Sequence, residues 1–241
     1  MKSIKILITA PLKQERKIFK EFQDGLDRLE IPDGITIDRF YVVNDCPEII
    51  QDIRGEYEVI NTGDIYRKAI NTHVWTNDNL SKMHELRNAT IKKALDGGYD
   101  YWWSIDTDLV VHPQTLKALL EADKDIVAEI FWTMGTTGKY WSNAWLYDQA
   151  TGAGNPEWRT PGVYEIGGTG ACLLVKRKVF EAGVDYSAIP CIKKVLWGED
   201  RHFCIRAMCA GFKLWLDTHY PAEHLYTEQC YKNFRRRRGD A

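Results

Sequence analysis

Two aspartates one residue apart follow an apolar run in the segment WWSIDTDLVVHP, residues 102–113. On an extended chain Asp106 and Asp108 point the same way, so their carboxylates can converge on one hard cation that also takes oxygen ligands from a diphosphate. Aspartate also caps turns and helices, and the D-x-D triplet alone leaves both roles open. A calcium-binding loop is excluded, because the position that needs glutamate in such a loop is Lys117.

A second acidic pair, Glu199 and Asp200, opens the segment GEDRHFCIRAMCAG, which has a helical pattern. Free N–H groups and the dipole at a helix N-terminus favour anionic side chains, so capping explains both residues. The functional alternative is general-base chemistry, in which one carboxylate removes the proton of an attacking hydroxyl group.

The elements that must position these carboxylates follow from the hydrophobic pattern. Strand patterns occur in IKILITA, ITIDRFYVV, YEVIN, YDYWWSI and DIVAEIFW, with helical patterns between them. This alternation predicts an α/β fold with a mixed, mainly parallel central sheet and helices on both faces. Ligands bind outside the carboxyl ends of the strands in such sheets, and Asp106 follows one of these ends.

The second half of the sequence is less regular. Residues 133–162 are rich in Gly, Thr, Asn and Trp and have weak periodicity. A loop of this length is usually functional or mobile, so we expect a lid over the site with Gly135, Gly138, Gly152 and Gly154 permitting its movement. The segments VYEI, ACLLVKR and FKLWLD then predict further strands.

Composition limits the partners and the cellular compartment. The 241 residues include 32 Lys and Arg against 34 Asp and Glu, so no global basic field draws the protein onto nucleic acid or a membrane. Six cysteines without a C-x-x-C pair argue against a zinc ribbon and a disulfide scaffold. The first residues have neither a signal-peptide core nor a membrane span, which predicts a cytoplasmic protein, with peripheral membrane association as the alternative.

We expect one domain over residues 1–230 and a disordered basic tail over residues 231–241. The tail contains Arg235, Arg236, Arg237 and Arg238. Four charges leave three contacts open, namely an anionic acceptor such as a lipid-linked glycan, a membrane surface, and nucleic acid.

The segment GYDYWWSIDTDLVVHPQTLKALL closely resembles the strand, D-x-D motif and helix of family-2-like glycosyltransferases with the GT-A fold. The resemblance covers most of the domain, through IKILITA, FYVVNDC and HELRNATIKKALDGGYDY upstream and GGTGACLLVKRKVF, WGEDRHFCIRAMCAGFKLWLD and EHL downstream. It implies a Rossmann-like nucleotide-binding GT-A domain. It also implies a hexosyltransferase that moves a sugar from a UDP- or GDP-sugar donor to a hydroxyl of a glycan, lipid-linked or other acceptor.

The resemblance also implies roles for single residues. The donor-binding residues would be Thr9, Asp45, Arg87 and Asp106, although Asn44 stands where that family often has aspartate. The residues that bind Mn²⁺ or Mg²⁺ would be Asp106, Asp108 and His224, with His219 as the weaker candidate histidine. Asp200 would be the general base of an inverting transfer, although retaining enzymes share the fold. The acceptor-binding residues would be Trp197, Glu199 and Gly170.

Two other functions stay open at this point. A sugar nucleotidyltransferase also uses an α/β sheet, carboxylates and a divalent ion, but TAPLKQERK lacks the glycine-rich phosphate loop that usually follows its first strand. The other alternative is a carbohydrate- or nucleotide-binding module that keeps the fold without turnover.

Overall fold

The computed structural model describes residues 3–61, 68–69, 72–73, 77–134, 138–147, 155–192 and 198–239. Their strands are β1 (Ile4–Leu12), β2 (Ile35–Val43), β3 (Glu56–Val59), β4 (Lys68–Ala69), β5 (Thr72–His73), β6 (Tyr101–Ser104), β7 (Leu109–Val110), β8 (Ile126–Met134), β9 (Tyr140–Ser142), β10 (Ala144–Trp145), β11 (Val163–Ile166), β12 (Gly168–Thr169), β13 (Leu173–Lys176) and β14 (Leu214–His224). Their helices are α1 (Arg16–Asp27), α2 (Asn77–Asp96), α3 (Thr115–Glu121), α4 (Arg177–Glu181), α5 (Glu199–Cys209) and α6 (Glu228–Arg237), with 3₁₀ turns at Pro47–Asp52 and Pro156–Arg159.

A ten-stranded sheet of mixed direction runs through this part of the chain. Eight strands follow the order β11, β14, β8, β13, β6, β1, β2, β3, while β7 pairs with β14 and β9 pairs with β8. The strands β6, β1, β2 and β3 run parallel to one another, and β8 runs parallel to β14. Between these two groups β13 is antiparallel to both of its neighbours. The predicted fold class, α/β with a mixed and mainly parallel central sheet, is therefore confirmed.

Side chains alternate across the sheet and fill two layers of core. On one face Leu7 and Trp102 pack with apolar residues of α2, α4 and α5. On the other face Ile8 and Trp103 pack with apolar residues of α1 and α3. Both sheet faces are covered by helices, which explains why the strands read as nearly continuous apolar runs.

The first strand is longer than its sequence pattern predicts. It runs to Leu12, because Pro11 and Leu12 still pair with β2 and the Leu12 carbonyl accepts a hydrogen bond from the Asn44 N–H at 2.9 Å. Thr9 therefore lies inside the strand, three residues before its end.

The basic tail was predicted to be disordered, but its residues as far as Arg237 belong to α6. Phe234 is buried, and Arg235 and Arg238 donate to the two carboxylate oxygens of Glu21 at 2.7 and 3.0 Å. Glu21 is itself buried, and a buried carboxylate requires such partners. Among the described residues, no helix is long and apolar enough to cross a membrane.

The described residues of the segment predicted to be irregular contain regular elements. Its described residues form the end of β8, the strands β9 and β10, and the turn at Pro156–Arg159. Gly135, Gly152 and Gly154, three of the four glycines assigned to a lid, lie outside the described residues. The lid itself stays a prediction.

Candidate active site

A cavity of about 690 Å³ opens beside the carboxyl ends of β1, β2 and β6. Parallel strands bring these ends to one edge of the sheet, where open α/β sheets bind ligands. The first turn of α5 and the end of β14 complete the wall. The predicted residues that line it are Asp45, Arg87, Asp106, Asp108, Glu199, Asp200 and His224.

The D-x-D segment leaves the end of β6 in a turn closed by the Leu109 N–H and the Asp106 carbonyl at 3.0 Å. Leu109 then pairs with His224 of β14, which draws the end of that strand to the turn. As a result the Asp108 Oδ2 lies 3.4 Å from the His224 Nε2. Neither aspartate caps α3, because its N-cap residue is Gln114.

The neighbours of His224 fix the orientation of its ring. Its Nδ1 lies 3.0 Å from the Thr133 hydroxyl, and the ring meets Phe131 edge to face. A partner at one ring nitrogen sets the direction of the other, which is a common arrangement for histidines that bind metals.

The predicted metal ligands are partly brought together. Within the described part of the chain, no three His, Cys, Asp or Glu residues gather as a metal site of their own. Asp108 and His224 lie together, whereas Asp106 accepts a hydrogen bond from Arg87 at 3.2 Å. Magnesium sites often use one or two carboxylates and take their remaining ligands from water and substrate phosphates. The pair of Asp108 and His224 therefore fits a divalent ion whose coordination the substrate completes.

The guanidinium group of Arg87 joins the two halves of the site. It donates from Nε to Glu199 at 3.1 Å and from its terminal nitrogens to Ser104 and Asp106 at 2.9 and 3.2 Å. Its Nε also lies 3.9 Å from the carboxylate of Asp200. All three nitrogens therefore have protein partners, and Arg87 links carboxylates while it also lines the cavity. Its donor-binding role stays a prediction.

The two acidic residues of α5 have different surroundings. The helix begins after Gly198, whose φ of 101° lies in the left-handed region that favours glycine. Glu199 is 4% exposed, accepts a hydrogen bond from Arg87 and lines the cavity, and its acceptor-binding role stays a prediction. The Asp200 side chain is 28% exposed, and its Oδ1 has no hydrogen bond.

The pKa of Asp200 follows from these surroundings. Burial, and then the nearby carboxylates of Glu199 and Asp106, raise the pKa of Asp200 well above its usual range, while Arg87 opposes the rise. A carboxylate with a raised pKa that faces a cavity is the kind of group that accepts a proton from a substrate.

Four predicted residues remain, and each has a different placement. Gly170 lies against Asp200, because a Cβ atom built at the glycine would be 3.0 Å from the Asp200 Oδ2. Asp45 lines the cavity with a φ of 47°, a conformation that aspartate tolerates better than most residues. Thr9 is fully buried and is not among the residues that line the cavity, and its donor contact stays a prediction. Trp197 lies outside the described residues.

His219, the weaker candidate histidine, has a structural explanation. Its ring Nδ1 and its backbone N–H both contact the Asp217 carboxylate at 2.8 Å. It does not line the cavity.

Sequence reasoning missed several residues of the site. Ser104 and Thr133 orient Arg87 and His224, while Lys13 and Tyr226 line the cavity. Ser104 had a signal, since it lies two residues before Asp106 and so shares its direction on an extended chain. Thr133 had none, because its contact with His224 crosses 91 positions of sequence.

Comparisons with known proteins bear on the fold. No protein-family model matches the chain. Procollagen galactosyltransferase 2 of Mus musculus is 30% identical over 87 residues, which are 36% of this chain and 14% of that protein. The crystal structure of S. aureus TarS 1-349 in complex with UDP matches with a TM-score of 0.54 and 12% identity, over 90% of this chain and 60% of that one.

The chain has the GT-A fold. The TarS 1-349 structure in complex with UDP-GlcNAc agrees, with a TM-score of 0.50 and 14% identity over 96% of this chain and 64% of that one. The chain spans less than two thirds of TarS 1-349 and about a seventh of the mouse protein.

Proposed function

We propose that the protein is a glycosyltransferase that moves a hexose or related sugar from a nucleoside-diphosphate donor to an acceptor hydroxyl. The observation that carries this proposal is the position of Asp200. Asp200 lines the cavity, and its buried Oδ1, which has no hydrogen bond, lies 3.9 Å from the Nε of Arg87, which in turn bonds Asp106 at the end of β6. A proton acceptor and a group of donor-side carboxylates thus share one cavity.

The donor is proposed to be a UDP-sugar. TarS 1-349, which has the same fold, was solved with UDP and with UDP-GlcNAc, and the mouse relative is named as a galactosyltransferase. In this chain Asp45 and Lys13 line the part of the cavity beside β1 and β2. Asp45 is suited to accept hydrogen bonds from a nucleobase, and Lys13 to lie near phosphate oxygens.

The chemistry follows from the base and from the direction of attack. Asp200 takes the proton from the acceptor hydroxyl as the oxygen of that hydroxyl bonds to the anomeric carbon of the donor sugar. The bond from that carbon to the diphosphate oxygen breaks, and the electron pair leaves with the nucleoside diphosphate. Attack opposite to the leaving group inverts the configuration at the anomeric carbon.

The leaving group develops negative charge that must be stabilised. Mn²⁺ or Mg²⁺, held by Asp108 and His224, would supply that stabilisation when bound. Arg87 keeps Asp106 from turning away from the site and offsets the mutual repulsion of the carboxylates around it.

Calorimetric titration tests the binding half of this proposal. UDP should bind more tightly in MnCl₂ than in EDTA, because the diphosphate supplies ligands that Asp108 and His224 lack. GDP should bind more weakly than UDP under both conditions. Equal UDP affinity with and without metal would contradict the metal assignment. Binding of GDP without UDP would contradict the choice of a UDP-sugar, and binding of neither nucleotide would contradict the proposed function.

A further inference from the structure

The candidate metal pair of Asp108 and His224 stands on two short segments of chain. Leu109 of β7 pairs with His224 of β14, and the Leu225 N–H donates to the Asp108 carbonyl at 2.8 Å. The strand β7 is only two residues long, and such a short pairing is weak on its own. The distance between Asp108 and His224 therefore depends on what packs behind these segments.

The C-terminal helix α6 packs behind both segments. Val110 of β7 and Leu225 form a buried apolar cluster with Ile18 of α1 and Phe234 of α6. This cluster is separate from the two main layers of the core, so its cohesion depends on the helices that carry it. The position of α6 against α1 thus determines how firmly the segments of the metal pair are held.

Glu21 fastens α6 to α1. It lies one turn after Ile18 on α1 and is 2% exposed. Its two carboxylate oxygens accept from Arg235 at 2.7 Å and from Arg238 at 3.0 Å, near the end of α6. Hydrogen bonds between ionised groups are stronger than those between neutral ones, and losing one partner of a buried ion pair is strongly destabilising.

Two other ion pairs of α6 lie at the surface. Lys17 of α1 pairs with Glu228, and Arg237 donates to Glu223 at 2.6 Å. These four side chains are between 38% and 57% exposed, and exposed ion pairs contribute little to stability. Of the three contacts, the one at Glu21 is the buried one and is therefore expected to hold α6 most strongly.

We infer that Glu21 is a positioning residue for the metal pair. Its carboxylate holds α6 against α1, and α6 keeps Val110 and Leu225 in the buried cluster. Because these two residues flank the metal pair in the sequence, the cluster keeps Asp108 beside His224. This inference rests on the proposed function, in which the pair binds a divalent ion.

Hydrogen exchange of the full chain without metal tests the connection from Glu21 to the metal pair. Glu21→Gln keeps the size of the side chain and removes the charge that both arginines bind. The Leu225 N–H should then exchange about tenfold faster than in the wild type, because its segment opens locally. The Lys176 N–H, which bonds to the Asp125 carbonyl at 2.9 Å, should exchange as in the wild type. A merely structural role of Glu21 would accelerate both amides alike, through global unfolding.

Calorimetric titration measures the consequence for metal binding. The ratio of UDP affinities in MnCl₂ and in EDTA should be roughly tenfold smaller for Glu21→Gln than for the wild type, as for changes in groups that orient metal ligands. The matched control is Asp24→Asn, one turn further along α1, where the carboxylate pairs with Lys20 and Arg54. This variant should leave the Leu225 exchange rate and the affinity ratio unchanged.

A second variant, Arg235→Gln, covers the case that Glu21→Gln does not fold, because it leaves Glu21 the bond to Arg238. It should change the Leu225 exchange rate and the affinity ratio in the same directions, but by less. Wild-type values of either quantity in the folded variants, or equal acceleration of Leu225 and Lys176, would overturn the inference while the proposed function stands. A wild type that binds UDP equally with and without Mn²⁺ would remove the metal assignment and this inference with it. A wild type that binds neither UDP nor GDP would remove the proposed function itself.

Discussion

Arg87→Met removes a buried cation that faces three carboxylates while keeping a long, unbranched side chain. Arg87 is 3% exposed, and its hydrogen bonds to Glu199, Ser104 and Asp106 are all lost in the variant. Breaking a buried ion pair by removing one partner costs about 3–5 kcal/mol. Asp106 and Asp200 keep 40% and 28% of their side chains exposed, so water relieves part of the repulsion. We therefore expect a loss of about 3 kcal/mol, at the lower end of that range.

The loss should depend on pH. Without the guanidinium, the pKa values of Asp106 and Asp200 rise further in the folded protein, because the opposing positive charge has gone. A carboxyl whose folded pKa lies above its unfolded pKa takes stability away as pH increases. The destabilisation should therefore be larger at pH 8 than at pH 5.

Urea unfolding of the wild type and Arg87→Met at both pH values measures the effect. The matched control is Arg54→Met, which removes an arginine that also bridges two carboxylates, Asp24 and Asp27, but is 43% exposed. Surface pairs of that kind contribute at most about 1 kcal/mol. If Arg87→Met were no more destabilising than Arg54→Met, or if its effect were the same at both pH values, Arg87 would not be the electrostatic link described here.

Three further predictions concern single residues. Glu129 is fully buried, and burial, followed by the nearby Asp217 carboxylate, raises its pKa to about 10. The stability that the protonated Glu129 contributes is lost as pH rises from about 4.5. At pH 8 the free energy of unfolding of Glu129→Gln should therefore exceed that of the wild type by on the order of 3 kcal/mol, as measured by urea unfolding. A difference in stability that does not widen between pH 5 and pH 8 would contradict this. Gly170→Ala should displace the Asp200 carboxylate by a few tenths of an ångström and lower donor turnover without changing UDP affinity. Unchanged turnover would show that the added methyl group does not move Asp200. Asp108→Asn should reduce the effect of Mn²⁺ on UDP affinity in calorimetry, because an amide is a poorer ligand for a hard cation, and a wild-type response to metal would remove Asp108 from the metal site.

Local patterns in the sequence predicted the elements well. The run ITIDRFYVV is β2 from its first to its last residue, because its alternating and then continuous apolar residues match the exposed start and buried end of that strand. The D-x-D turn and the acidic pair of α5 meet in one cavity, as expected when parallel strands present their carboxyl ends at one edge.

Features that depend on distant partners could not be predicted. Four consecutive arginines read as a disordered tail until the buried carboxylate of Glu21, on a different helix, is known to accept from Arg235 and Arg238. The ion pair of Arg87 with Glu199 could not be predicted, because the two residues lie 112 positions apart in the sequence. In both cases the decisive term is the cost of burying a charge, which no local pattern reports.

Hydrolysis of the donor by wild type and Asp200→Asn is the most direct test of Asp200 as the general base, because water can replace an unknown acceptor. Each protein is incubated with UDP-glucose, UDP-galactose and UDP-GlcNAc in MnCl₂, and the released UDP is measured beside UDP affinity and urea stability. The wild type should hydrolyse at least one donor. Folded Asp200→Asn should bind UDP as the wild type does but hydrolyse the donor roughly 10²–10⁴-fold more slowly, since an amide cannot accept the proton. Equal hydrolysis rates in the two proteins would contradict the assignment of Asp200 as the base. Tight UDP binding without any hydrolysis of a donor by the wild type would make the protein a nucleotide-binding module rather than an enzyme.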